Sequence, residues 1–252
     1  MHIKKPFLTF LLTISSVYLF AQNWQPVSGK IMTSWAAQVD PKKPLPEYPR
    51  PQLVRKNWQN LNGLWQYVIT PASQDNIPAA YDGQILVPYP IESALSGVGK
   101  RVGKANVMWY KNSINLSKPT GANQVLLHFG AVDWKCDVFI NGTKAGSHEG
   151  GYDPFSFNIT NLLQKGKKQE IVVRVWDPTD EGPQPRGKQV NKPEGIWYTP
   201  VTGIWQTVWI EEVPSAYILS TKQTPNVDAG ELKITANVSG AQPGDLVKIE
   251  AW

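Results

Sequence analysis

The stretch QVLLHFGAVDWKCDVFINGTKAGSHEGGYDPFSF, residues 124–157, decides the fold. Val125, Leu127 and Phe129 share one face of a strand over Gln124–Phe129. Lys135–Ile140 and Thr143–Ser147 are joined by Asn141-Gly142, which supplies the positive φ angles of a type I′ turn, so they form a hairpin. Phe155–Ile159, Glu170–Val175 and Ile204–Ile210 read as further strands. Upstream, Gly63–Thr70, Gln84–Val87 and Val107–Leu116 do the same. No stretch of helical period beyond the leader exceeds about two turns, though Asn161–Gln164 could form one. Many short strands separated by Gly/Pro turns describe an all-β sandwich.

Outside this unit the chain changes character. Pro41, Pro44, Pro46, Pro49 and Pro51 crowd into the segment 22–57, which is therefore expected to be an extended arm without helix or central strand. ESALSGVGKRVGK, 92–104, reads as a mobile, basic, Gly-rich loop. A boundary falls near Val213-Pro214-Ser215, giving a sandwich over 58–213. Beyond it Leu232, Ile234, Ala236 and Val238 alternate with polar residues. Gln242–Asp245 is a turn and Leu246–Trp252 reads as another strand. Residues 214–252 are too few for an immunoglobulin-like sandwich, which needs about seven strands, so they are expected to be the start of an incomplete one.

Composition narrows the functional classes. Hydrophobic residues form 41% of the 252 and charged residues 18%, enough for a packed core and against disorder. The 11 Trp suit either core filling or stacking on sugar faces. The net charge of +5 includes Lys4 and Lys5, and no Lys/Arg stripe is interleaved with aromatics, which argues against nucleic-acid binding. Residues 1–21 read as a cleaved secretory signal: two lysines, an apolar run from Phe7 to Phe20, and Ala21 before the cut. No Cys stands at the cut to carry a lipid anchor and no membrane span remains after it, so a secreted or periplasmic protein is expected. Cys136, the single cysteine, is expected to be a buried, inert thiol.

The chemistry on offer is limited. His128 and His148 lack partners at metal-ligand spacing, and neither a phosphate loop nor a nucleophile elbow occurs, so no metal and no cofactor is expected. The loop WDPTDEGPQPRGKQ, 176–189, holds Asp177, Asp180, Glu181, Arg186 and Lys188 just after a strand. It reads either as a solvated surface loop or as a polar rim where sugar hydroxyls could be bound, with Asp177, Arg186 and Lys188 as candidate binding residues. Glycoside hydrolysis with retention needs two carboxyl groups ~5 Å apart, one with a raised pKa. No second acid is placed opposite Asp177, so no catalytic residue is assigned.

With these residues in view, the chain resembles the amino-terminal region of glycoside hydrolase family 2, the β-galactosidase and β-glucuronidase family. The resemblance covers about 60–250 and rests on VPYPIES (87–93), MWYKNSINL (108–116), the segment 128–160, RVWDPTD (174–180) and TGIWQTVWIEEV (202–213), in the family's order. It implies a jelly-roll, galactose-binding-like sandwich, then an immunoglobulin-like domain, then a TIM barrel whose two glutamates act in a retaining mechanism. That barrel lies outside these residues, so this chain would supply carbohydrate contacts to a pocket built elsewhere. In β-galactosidases an aspartate at the matching strand end touches the sugar, and here that position is Asp177. PRGKQ and KPEGIWYTP depart from the galactosidase pattern. A free-standing lectin-like module and a purely structural sandwich are the alternatives.

Overall fold

The computed structural model describes residues 24–166 and 168–250. The expected signal segment 1–21 lies outside them. Strand β1 (Trp58–Asn60) precedes β2 (Gly63–Pro71), β3 (Gly83–Val87), β4 (Asn106–Asn115), β5 (Gln124–Phe129), β6 (Val132–Asp133) and β7 (Lys135–Ile140). There follow β8 (Thr143–Glu149), β9 (Phe155–Asn158), β10 (Lys168–Trp176), β11 (Gly203–Ile204), β12 (Val208–Val213), β13 (Tyr217–Asn226) and β14 (Glu231–Ser239). Ten of them build a four-stranded sheet, β1-β12-β5-β9, facing a six-stranded one, β3-β2-β4-β10-β7-β8, and the other four form the two-stranded pairs β11-β6 and β13-β14. All named pairings are antiparallel. This is the all-β jelly-roll sandwich expected from the sequence.

The core lies between the two sheets. Trp65, Met108, Tyr110 and Val173 point inward from one, and Leu127, Phe129, Val208 and Ile210 from the other. A smaller cluster of Val68, Val107, Trp109 and Val172 covers the outer face of the six-stranded sheet, with Tyr81 and Phe139 against it. That second layer explains why VMWY in β4 is apolar at every position rather than at alternate ones. The hairpin turn forms as its residues dictate, with φ of 50° at Asn141 and 81° at Gly142. Gly146 permits β8 to lie against β9, since a Cβ there would collide with the Phe157 ring.

Several expectations need correction. Ser34–Gln38 forms a 3₁₀ turn in the arm, upstream of the proline cluster that forbids one further on. Ile204–Ile210 is not one strand: β11 pairs with β6 while β12 pairs with β5, and Trp205 leaves the ladder to donate its indole N–H to Gly151 O at 2.7 Å. β1 and β13 are additional strands. Residues 246–250 carry no strand, because no described segment pairs with them. The loop 92–104 is not a loose excursion, as Ala94, Ser96 and Val102 are buried. The single helical turn expected near Asn161–Gln164 is met by a 3₁₀ turn at Thr160–Leu162.

The arm is tied down by a buried acid. Glu211 in β12 has 0% exposure. It accepts hydrogen bonds from Arg50 at 2.5 and 2.6 Å, from Arg55 at 2.7 Å, from the Tyr48 hydroxyl at 2.5 Å and from the Trp209 indole at 3.0 Å. His128, stacked on Trp209, lies 3.2 Å from its Oε2. Burial alone pushes Glu211 up, but the adjacent His128 ring and the hydrogen bonds from Tyr48, Arg50 and Trp209 outweigh it and hold the carboxyl well below its ordinary range. The arm thus supplies charges that a buried carboxylate cannot do without. Removing that carboxylate leaves two partly buried guanidinium groups without their partner. Glu211→Ala is expected to lower stability by about 3–5 kcal/mol, read from the urea midpoint at pH 7. A loss under about 1 kcal/mol would mean the pairing contributes no more than a surface salt bridge.

Candidate functional site

β10 lies between β4 and β7, so its end is held from both sides: Val175 pairs with Met108 and with Cys136, and Trp176 with Lys135. Asp177 comes directly after and is 2% exposed. Its Oδ1 accepts the Thr179 backbone N–H at 2.7 Å, and its Oδ2 accepts the Thr202 hydroxyl at 2.6 Å and the Thr179 hydroxyl at 3.4 Å. A carboxylate offers about four acceptor positions, so one is left over.

Two further buried acids stand beside it. The Thr202 backbone N–H donates to Glu92 Oε2 at 3.0 Å. Asp133, in β6, accepts the Gln189 side-chain N–H at 2.9 Å, while Gln189 Oε1 accepts the Val201 N–H at 2.6 Å. Gly151 leaves room for this acid, since a Cβ there would lie 2.6 Å from Asp133 Oδ1. The segment 189–204 therefore gathers carboxyl groups from three distant parts of the chain. Burial pushes Glu92 up to about 7, against hydrogen bonds from Thr202 and with the Asp177 charge adding to it. Burial likewise pushes Asp133 up to about 7, opposed by Gln189 and reinforced by Asp177. Asp177 is raised by burial too, against its bonds from Thr202 and Thr179.

The open space nearby belongs to Glu92. A cavity of about 390 Å³ is lined by Lys30, Pro90, Glu92, Ser93, Thr199 and Val201, among others. A larger depression, about 480 Å³, lies away from these acids beside β1 and β4, and Lys42 is its only ionisable lining residue. Among the described residues no group of three His, Cys, Asp or Glu side chains could hold a metal, and no helix is long and apolar enough to cross a membrane.

Of the residues singled out in the sequence, Asp177 is part of the cluster. Arg186 and Lys188 are not hydrogen-bonded into it. Half-buried Arg186 offers its backbone carbonyl to the Gln189 N–H at 3.2 Å, and the exposed Lys188 ammonium sits 5.8 Å from the Tyr198 ring centroid. Both readings of the tryptophans occur: Trp65 and Trp109 fill the core, while Trp197 is 42% exposed and its neighbour Tyr198 62%. Glu92, Asp133, Gln189 and Thr202 were missed by sequence reasoning. Glu92 lies in VPYPIES and Thr202 in TGIWQTVWIEEV, two of the segments that carry the resemblance, and that was the available signal. Cys136 is buried, its thiol pushed up to about 12 by burial, as an inert core cysteine should be.

Fold and site together define a β-sandwich module with its polar groups collected at one strand end. The chain belongs to the glycosyl hydrolases of family 2: residues 58–214 match the model of that family's sugar binding domain. A protein of Formosa agariphila, itself assigned only provisionally as a β-glucuronidase, is 28% identical over 214 residues, covering 83% of this chain and 24% of the relative. A β-galactosidase of Thermoanaerobacter pseudethanolicus is 27% identical over 143 residues, 54% of this chain and 18% of its own. Among solved structures, the Faecalibacterium prausnitzii β-glucuronidase shares the fold with a TM-score of 0.57 at 21% identity, over 77% of this chain and 37% of that one. The chain spans about a quarter of the length of these curated relatives or less.

The raised acids give a pH signature. Between an ordinary carboxyl value of 4.5 and about 7, folded Glu92 keeps a proton that the unfolded chain has released. Stability is therefore expected to fall as pH rises through that window, with Asp133 acting in the same sense. Glu211 acts oppositely and only on the acid side, where its contribution is lost as pH falls below its ordinary value. Glu92→Gln should flatten the decline by on the order of 3 kcal/mol, measured by urea unfolding across pH 4–8. An unaltered slope would show that burial leaves the Glu92 carboxyl at its ordinary value.

Proposed function

We propose that this chain is the amino-terminal, sugar-binding part of an exported, retaining β-glycosidase. In this reading the sandwich presents Asp177 to a pocket completed by a catalytic barrel further along the polypeptide. The observation that carries it is the Asp177 carboxyl itself. It is held in one orientation at a strand end and keeps one acceptor position, and it lies within the segment matching the family's sugar binding domain. That position would accept a sugar hydroxyl in a charge-assisted bond.

The names of the relatives support a β-glycoside substrate, either a glucuronide or a galactoside. Arg186 and Lys188, on the loop that follows Asp177, are proposed to border the substrate. The chain's own contribution is to bind and orient, and acid–base chemistry would come from glutamates of the barrel. Export rests on the character of residues 1–21, with the mature chain beginning at Gln22. A lectin-like module that binds glycans without cleaving them is the second reading, favoured by the exposed Trp197 and Tyr198.

The test uses aryl β-glycosides. The 252-residue chain alone is expected to turn none of them over. In the longer enzyme Asp177→Asn should lower kcat/KM by about 1.5–3 kcal/mol, roughly 10- to 150-fold. An unchanged kcat/KM would remove Asp177 from the substrate site, and turnover by the short chain above a blank would contradict the division of labour.

A further inference from the structure

Asp177 does not itself line the cavity beside Glu92. What connects them is Thr202, whose hydroxyl donates to Asp177 Oδ2 at 2.6 Å while its backbone N–H donates to Glu92 Oε2 at 3.0 Å. Glu92 is 3% exposed and comes from a segment 110 residues earlier in the chain. We infer that Glu92 and Thr202 are positioning residues for Asp177, fixing its Oδ2 edge from the cavity side.

The segment that carries Glu92 is built to hold still. The single Ser96 hydroxyl proton is shared between the carbonyls of Ser93 at 2.8 Å and Ile91 at 3.0 Å, and the hydroxyl oxygen accepts the N–H groups of Val98 and Gly99. Ser96 is fully buried, so this knot is shielded from competing water. The arm braces it from outside: the Lys30 ammonium donates to the Glu92 carbonyl at 2.6 Å, and the Trp24 indole to the Leu95 carbonyl at 3.1 Å. Gly97, at φ 77°, is where Trp24 packs, and a Cβ there would meet that ring at 2.7 Å. A chain of contacts therefore runs from the arm through the knot, Glu92 and Thr202 to Asp177.

Each member does something different for Asp177. The Thr202 hydroxyl favours the charged carboxylate by hydrogen bonding to it. Glu92 is a like charge when ionised and a neutral neighbour when protonated. The other charged or titratable groups facing this pair are Lys30, Tyr110, Asp133 and Asp180. Tyr110 is occupied elsewhere, accepting the Ile204 N–H at 3.1 Å.

The inference rests on Asp177 being the substrate contact, but its first test does not. Carboxyl carbon NMR titration of the 252-residue chain would follow Asp177 directly. Thr202→Val should raise the Asp177 midpoint by about one pH unit and Thr202→Ser should restore it, while Asp177→Asn, by removing a like charge, should lower the Glu92 midpoint followed in the same titration. If Thr202→Val does not fold, Asp177→Asn, uncharged and of the same shape, carries the same reading through the Glu92 midpoint. Midpoints identical to wild type in the folded variants would overturn the linkage. In the longer enzyme Thr202→Val should cost about tenfold in kcat/KM, and that cost should vanish in an Asp177→Asn background. Equal losses in both backgrounds would mean a general structural role and would also overturn it. An Asp177→Asn enzyme of full activity, with the titrations still coupled, would sink the substrate reading and leave the linkage standing.

Discussion

The two hydrogen bonds of Thr202 hold the functional end of this sandwich together. Its backbone N–H and its hydroxyl reach two carboxyl groups, Glu92 and Asp177, that β-sheet pairing alone would not bring into register. A buried carboxyl without donors costs several kcal/mol, so each acid constrains the segment that satisfies it. Thr202 is in turn fixed by the strand it leads into, since Gly203 and Ile204 pair with Asp133 and Val132. That short ladder also carries the third acid, Asp133.

The same logic operates at the far side of the four-stranded sheet. Glu211 faces outward from β12 yet is buried, because the Pro-rich arm folds over it with Tyr48, Arg50 and Arg55. The two sites differ in sign. Glu211 is surrounded by cations and keeps its charge, whereas Glu92, Asp133 and Asp177 have only neutral hydrogen-bond partners and one another. Buried acids without an ion-pair partner are costly compared with an apolar filling of the same space.

Much of the fold was legible because the strands obey simple patterns. Alternation in Gln124–Phe129, the Asn141-Gly142 turn and the apolar run in β10 each matched the structure to within a few residues. The failures have physical causes. Trp58–Asn60 is a strand because β12 offers it an edge, which no local pattern in three residues could show. ESALSGVGKRVGK has the composition of a loose loop, but its rigidity comes from one buried hydroxyl and from Trp24, some 70 residues away. Asp177 was visible through its motif. Its partners were not, because Glu92 and Thr202 meet only after the sheets have closed.

The central claim is that Asp177 meets the substrate in a pocket this chain shares with a barrel. The most direct measurement is a crystal structure of the longer enzyme with an uncleaved β-glycoside bound. The account predicts a sugar hydroxyl about 2.5–3.0 Å from the Asp177 carboxylate, with Thr202 still bonded to Oδ2. A sugar whose hydroxyls are all met by barrel residues, with Asp177 still buried away from it, would contradict it.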